Sequence, residues 1–400
     1  MPALSKRTDT LVKWAAIAIG FFVPISVALD NVLLLAVLIL WLAGGRFAEK
    51  YRIIRENPVA IAAFALFCML TAGMFWGRTP LSDALGTLGK YIDLLFVPIF
   101  VTLFEDRAAR RNALRAFLAS MLLTLLLSYL IRFGFLHTNS IIRGFAANPY
   151  VFKLHITQNF FMSFAVLMLA SLALKAEGVG ERALWILLAA LATFNIFLMV
   201  QGRIGYLVSA VLLLYLFARK FGKQGMALGG GAVLLLGCIA YFGSHEFHER
   251  IDLAIHEAVL WHPGQATKDS DSIGQRLEYD VNTLGIVSKH PFFGVGTGGF
   301  PRAYADQVAG TGMIPVHHPH NEFLLITSQL GVAGLLLLLL LFYLQWREAG
   351  MLGLERRFLG EGLVLAMISG CLFNSFLLDH AEGLFFAWMS GVLFSGRRSD

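Results

Sequence analysis

Charged residues are scarce: Asp, Glu, Lys and Arg together make up 14% of the 400 residues, against roughly a quarter in an ordinary soluble domain. That shortage excludes a soluble globule. Hydrophobic residues reach 57% and mean hydropathy is +0.69, so at about 20 apolar residues per crossing the chain can supply a dozen bilayer spans. Cysteine is nearly absent. Cys68, Cys238 and Cys371 each sit inside an apolar run, which argues against a disulfide framework or a cysteine metal site and leaves them as packing residues. Strand-like alternation is lacking as well. Every backbone polar group in lipid needs an internal partner, so long Leu/Ala/Phe runs mean helices and not barrel strands. The fold class is all-α, a polytopic membrane protein.

Twelve apolar segments are expected to span: 11–29, 31–45, 58–76, 85–104, 113–133, 155–174, 183–200, 204–218, 226–243, 321–346, 358–378 and 381–395, with room for a break in the tenth. Net charge is +6 and the pI about 9.3, yet the basic residues fall in short clusters between apolar runs, a pattern of membrane orientation and not of nucleic-acid binding. With the N-terminus inside, one side collects Lys6, Arg7 and Lys13; Arg46, Lys50, Arg52 and Arg55; Arg107, Arg110, Arg111 and Arg115; Lys175 and Arg182; Arg219, Lys220 and Lys223; Arg347, Arg356 and Arg357; Arg397 and Arg398. That is most of the basic residues, and the positive-inside rule then predicts both termini in the cytoplasm. No cleavable leader is visible, and the N-terminus is expected to be retained.

One connection is out of scale. Residues 244–318, polar and rich in histidine and glycine, divide the chain into helices of 1–243, an outer loop, and a final helical part of 319–400; long loops are usually functional. Phe247, Ile251, Ile255 and Val259 recur at helical spacing, as do Ile273, Leu277, Val281 and Leu284, which predicts two amphipathic helices on the membrane surface. Ser272 with Gln275 forms a capping-box pattern at the start of the second, and His290-Pro291 ends it.

Three residues stand out chemically. Arg203, within Gln201-Gly202-Arg203-Ile204-Gly205 at an outer turn, is costly at membrane level unless it is paired or faces a wet cavity, and so asks for an anion; snorkelling to headgroups is the plain alternative. Arg276 lies on the polar face of the second loop helix with Asp280 at i+4, a surface ion pair in the plain reading. The loop covers the face that Arg203 occupies, so two guanidinium forks there suit a diphosphate. In His317-His318-Pro319-His320-Asn321-Glu322, proline suits the first helical position, placing His320 and Asn321 in the first turn of the next span. The helix N-terminus disfavours imidazolium, which leaves a neutral His320 able to act as general base, with Glu322 its rival and interfacial packing the plain reading.

Other patterns carry less. His248, Asp252 and His256 share a helical face, but with neither HExxH nor a cysteine pair a zinc site is disfavoured, and no metal is assigned. Asp269-Ser270-Asp271 spells the DxD of some metal-dependent glycosyltransferases, though an acidic cluster before a helix explains it better. Residues 294–299 satisfy GxGxxG without the βαβ context that gives it meaning; a tight turn, or a nest of N–H groups for a phosphate, are the remaining roles. Arg78, Arg143 and Lys153 would add positive field to the same cavity.

In this order, QGRIGYL, SIGQRLEYD, HPFFGVGTGGF and HHPHNEFL resemble the O-antigen ligase and polymerase superfamily over about residues 150–390. The resemblance implies an integral-membrane glycosyltransferase of the GT-C type in the bacterial inner membrane. Such an enzyme draws on an undecaprenyl-diphosphate-linked glycan at the periplasmic face and needs no metal, cofactor or nucleotide sugar. It also implies that Arg203 and Arg276 bind the diphosphate and that His320 is the essential histidine, with Gln201, His318, Asn321, Arg143 and Lys153 as further substrate contacts. Polymerases of the superfamily are associated with two outer R-x10-G loops. Here Arg78 to Gly89 fits, whereas Arg250, Arg276 and Arg302 lead eleven residues on to Trp261, Val287 and Met313. That departure, and a single large loop late in the chain, favour a ligase acting on lipid A-core over a polymerase; a protein O-oligosaccharyltransferase is the third relative. A transporter or lipid flippase is the competing class, and the absence of two-fold repeat symmetry speaks against it.

Overall fold

In the computed structural model, which describes residues 2–262 and 273–396, all regular structure among the described residues is helical. The DxD triplet and Ser272 of the expected capping box lie outside those residues. Helix α1 (Pro2–Phe22) stops before Pro24, and α2 (Val27–Ala43) starts at Ser26, whose Oγ accepts from the Leu29 N–H. Beyond Gly44 the chain bends by 115° into α3 (Phe47–Arg55). Asn57 caps α4 (Pro58–Gly73), with Pro58 opening the first turn, where its missing N–H costs nothing. Then come α5 (Leu81–Lys90), a 3-10 turn (Ile92–Leu95) and α6 (Phe96–Leu103), the last two bent 56° from α5. Three longer helices follow: α7 (Arg107–Arg132), α8 (His155–Lys175) and α9 (Val179–Phe194), which ends in a π-turn (Asn195–Met199).

Helix α10 (Arg203–Gly243) contains Gly222 at φ 60°, ψ −135°. There the helix reverses: a Cβ on Gly225 would sit 2.0 Å from the Phe217 carbonyl oxygen, and one on Gly229 3.0 Å from Phe217 Cβ, so the two legs pack as a hairpin. The outer loop supplies α11 (His245–Leu260), α12 (Ile273–Lys289) and α13 (Phe300–Gln307), and α14 (Glu322–Ala349), α15 (Leu354–Cys371) and α16 (His380–Phe394) close the chain. Each expected apolar segment falls on helix, but by length and composition five helices can cross a membrane, or seven if each bent pair counts as one span.

Phe117 of α7, Phe160, Phe161 and Phe164 of α8, and Phe385 and Trp388 of α16 are fully buried and meet ring to ring, Phe117 and Phe385 with centroids 5.1 Å apart. The Trp388 indole donates to the Ala16 carbonyl at 2.7 Å, tying α1 to the same core. Several of the basic residues that the charge bias assigns to a common side have partners. Arg46 pairs with Asp9 at 2.8 Å, Arg357 with Glu361 at 2.8 Å, Lys175 with Glu355, and Arg110 donates to the Phe104 and Glu105 carbonyls.

Two sequence expectations for the loop change. Both amphipathic helices are present, but α12 buries its polar side, Glu278, Asn282 and Thr283, and leaves Val281 and Leu284 exposed. The glycine-rich stretch is no phosphate nest, because the protein uses its N–H groups. Gly294 donates to His290, Val295 to Ser328, Gly296 to the Gln329 carbonyl, Thr297 to Gly73, Gly298 to Gln329 Oε1 and Gly299 to Gly296. The loop is a wedge between α4 and α14. It interrupts α14 at Gly331 (φ 68°, ψ −167°), beyond which the Val332 N–H turns to Pro291 at 2.8 Å.

Candidate active site at the histidine-rich end

The start of α14 differs from the proline-led helix the sequence suggests. Asn321 is the N-cap, its Oδ1 accepting from the Leu324 N–H at 3.2 Å, and the helix begins only at Glu322. An asparagine that satisfies an orphan N–H makes the better cap, so Pro319 and His320 lie before the helix. His320 adopts the left-handed conformation (φ 57°), which costs a residue with a Cβ about 1–2 kcal/mol. The setting of its ring is therefore made by its neighbours and not by a place in a helical turn.

Those neighbours set the ring's hydrogen. Asn374 Nδ2 lies 3.2 Å from Asp379 Oδ2, and Asn374 Oδ1 lies 3.3 Å from His320 Nδ1. A carboxylate only accepts, so the asparagine turns its NH₂ to Asp379 and its oxygen to the histidine. His320 then carries its hydrogen on Nδ1, and in the neutral ring Nε2 is the basic nitrogen. The ring is fixed on two sides, stacked on Tyr279 of α12 with centroids 6.1 Å apart and against His318 at 4.3 Å.

Glu322 is fully buried. Its Oε1 accepts from Tyr91 Oη at 2.8 Å, and its Oε2 from the N–H groups of Leu377 and Leu378 at 3.0 and 3.4 Å. With both oxygens engaged it clamps the 374–379 turn that carries Asn374 and Asp379. Its geometry is that of a positioning residue.

His318 Nδ1 lies 3.4 Å from Ser375 Oγ. Burial, reinforced by the charges of His320, Lys90 and His317, pushes His318 down to about 4, so it is neutral at physiological pH. Because the folded value lies below the unfolded one of about 6.5, the stability it contributes is present above pH 6.5 and lost as the pH falls toward 4. Wild-type protein in detergent is expected to lose up to about 3 kcal/mol more stability than His318→Gln over that window. Thermal unfolding across a pH series measures it, and parallel curves for the two proteins would refute it.

Arg276 reaches this group through Asp280, which is half-buried and not on a solvated face. Asp280 hydrogen-bonds Asn321 and feels the Arg276 charge, while burial raises its carboxyl to about 6. Arg276, Asp280, Asn321, Tyr279, His318 and His320 thus form one cluster under α12. Arg203 opens α10 against α8, where Gly202 and Gly205 fit flush against Asn159: a Cβ on Gly205 would come within 2.3 Å of Asn159 Cβ. Gln201 lies beside it, its N–H on Asn148 Oδ1 at 3.1 Å, and Arg143 is exposed. Elsewhere on α8, Thr157 hydrogen-bonds Glu382, one turn beyond Asp379. Lys153 is buried and faces Asp30 at 3.8 Å instead of an open cavity, and Arg78 is exposed.

Sequence reasoning missed Asn374, Asp379, Lys90, Tyr91 and a deeper set: Asp30, which faces Lys153, and Asp93, whose Oδ2 meets His380 Nδ1 at 3.0 Å. Ionisable residues inside apolar runs were the available signal, since membrane burial is expensive for them. On α11, His248 pairs with Asp252 at 3.1 Å, and among the described residues no three His, Cys, Asp or Glu side chains converge in metal-holding geometry.

No curated protein matches the chain. A solved chain described as "Structural coordination of polymerization and crosslinking by a peptidoglycan synthase complex" is similar at 15% identity, with a TM-score of 0.49, covering 86% of this chain and 98% of that one. Residues 187–339 match the Wzy_C family model, described as O-antigen ligase, and this stretch contains Arg203, Arg276 and His320. Motif order and this match agree: the stretch 187–339 is similar to the O-antigen ligase family, and this supports a place in the O-antigen ligase and polymerase superfamily.

Proposed function

We propose that the protein is an O-antigen ligase of the GT-C type with twelve membrane crossings. It moves a finished glycan from undecaprenyl diphosphate to lipid A-core oligosaccharide at the periplasmic face of the inner membrane, without a metal. The observation that supports this most is the chain from Asp379 through Asn374 to His320 Nδ1, lying beneath the helix that bears Arg276. His320 Nε2 takes the proton of the acceptor hydroxyl as that oxygen attacks the anomeric carbon, and the bond from that carbon to the diphosphate breaks. Arg276 and Arg203 hold the departing diphosphate, whose charge grows in a site of low dielectric where fixed guanidinium groups replace a cation.

The test is purified protein in detergent with lipid-linked glycan, lipid A-core and a chelator. Glycan-bearing lipid A-core is the expected product. Lengthened lipid-linked glycan would identify a polymerase instead, and movement of lipid without bond formation a carrier; either result overturns the reading. Arg276→Ala and Arg203→Ala should each lower kcat/KM at least about 100-fold. Arg276→Lys should recover only part of that, because an ammonium lacks the two-pronged fit to a diphosphate.

A further inference from the structure

Helix α5 ends at Lys90, and the residues that follow it are pinned to the site on both sides. Tyr91 Oη donates to Glu322 at 2.8 Å, two residues beyond His320, and Asp93 Oδ2 meets the ring of His380 at 3.0 Å, next to Asp379. Immediately before these anchors Lys90 is exposed, with no hydrogen bond or ion pair among the described residues. Its charge acts on His318 and on Asp379, both members of the cluster around His320. Gly86 and Gly89, four residues and one residue before it on α5, have nothing within 4 Å of where a Cβ would sit, so the surface of α5 around Lys90 is open. Arg276 reaches the cluster from α12 through Asp280 and Asn321; Lys90 reaches it through His318 and Asp379, on the α5 side.

We propose that Lys90 is a further substrate-binding residue, whose ammonium holds a phosphate oxygen of a substrate at the mouth of the site. The inference rests on the ligase reading above. A lysine suits the task as a mobile point charge that follows a phosphate without dictating its orientation, while the arginine fork fixes it. Two sources share this chemistry, the diphosphate of the lipid-linked donor and a phosphate on the acceptor.

The experiment compares wild type with Lys90→Ala, Lys90→Glu and Lys90→Arg in the purified transfer assay and in binding of inorganic pyrophosphate by calorimetry. Lys90→Ala should raise KM for one substrate about 10-fold with kcat nearly unchanged, the value of one charge-assisted contact. Lys90→Glu should raise it further, and Lys90→Arg should stay within about 3-fold of wild type. Weaker pyrophosphate binding together with a raised donor KM assigns the donor diphosphate; unchanged pyrophosphate binding with a raised KM that disappears on a dephosphorylated acceptor assigns the acceptor. Wild-type KM for both substrates in Lys90→Glu overturns the inference. His320→Ala and Arg276→Ala run alongside: if these too are as active as wild type, the ligase reading itself has failed, whereas inactive controls beside a normal Lys90→Glu condemn only the role of Lys90.

Discussion

Replacing His320 by glycine is expected to leave a folded protein that no longer transfers glycan. The residue sits at φ 57°, where glycine pays none of the roughly 1–2 kcal/mol that a Cβ costs. That relief offsets part of the packing lost from the imidazole against Tyr279 and His318. The thermal midpoint of His320→Gly should therefore lie close to that of wild type, while the turnover rate drops by about 10²–10⁴, the usual contribution of a general base. Stability and activity then separate, which a merely structural histidine would not allow. Asp379→Asn extends the test: with an amide in place of the carboxylate, Asn374 is no longer compelled to present its oxygen to Nδ1. The ring can then carry its hydrogen on Nε2, and turnover should fall about 10-fold or more without loss of the folded protein. Single-turnover assays with unfolding curves on the same preparations check both. A wild-type rate in His320→Gly would end the general-base assignment.

The second large effect concerns folding. Gly331→Ala places a Cβ 2.1 Å from the Phe292 carbonyl carbon, at a backbone conformation essentially reserved for glycine. Gly296→Ala, at φ 87°, would meet the Gly77 Cα at 2.6 Å. In both cases the obstacle is backbone, which cannot turn aside like a side chain. Strain of about 1–3 kcal/mol and overpacking of about the same size add to roughly 2–6 kcal/mol. Each variant should run as aggregate on size-exclusion chromatography or unfold at a markedly lower temperature. As a comparison, Gly230→Ala, with nothing within 4 Å of the added Cβ, should behave as wild type. Normal folding of Gly331→Ala would mean that the wedge between α4 and α14 is looser than its hydrogen bonds indicate.

Much of the architecture was legible before any coordinates. Hydrophobic periodicity located both loop helices and the end of α12 at His290-Pro291, and the run of glycines announced a tight turn. The face that α12 buries was not legible. Apolar spacing says which residues avoid water; in a membrane protein, lipid can take that stripe, as the exposed Val281 and Leu284 show, and the polar side is free to build the site. The glycine stretch misled for a related reason: its N–H groups are donors whoever accepts, and only the position of α14 decides that Ser328 and Gln329 accept them.

The site divides along the same line. Arg203, Arg276, His318 and His320 declared themselves by residue type in improbable surroundings, since charge and imidazole at membrane level are expensive without a purpose. Asn374 and Asp379 stand 54 and 59 positions beyond His320 and look like an ordinary turn before a helix. Composition and spacing alone determined that this chain is a bundle of membrane helices with a histidine-rich polar loop, because those follow from transfer free energies that each segment carries wherever it goes. Which nitrogen of His320 bears the hydrogen, which carboxylate clamps and which one orients, and which lysines are buried or open were settled by contacts between segments remote in sequence. Such contacts depend on how helices pack, and no local pattern encodes them.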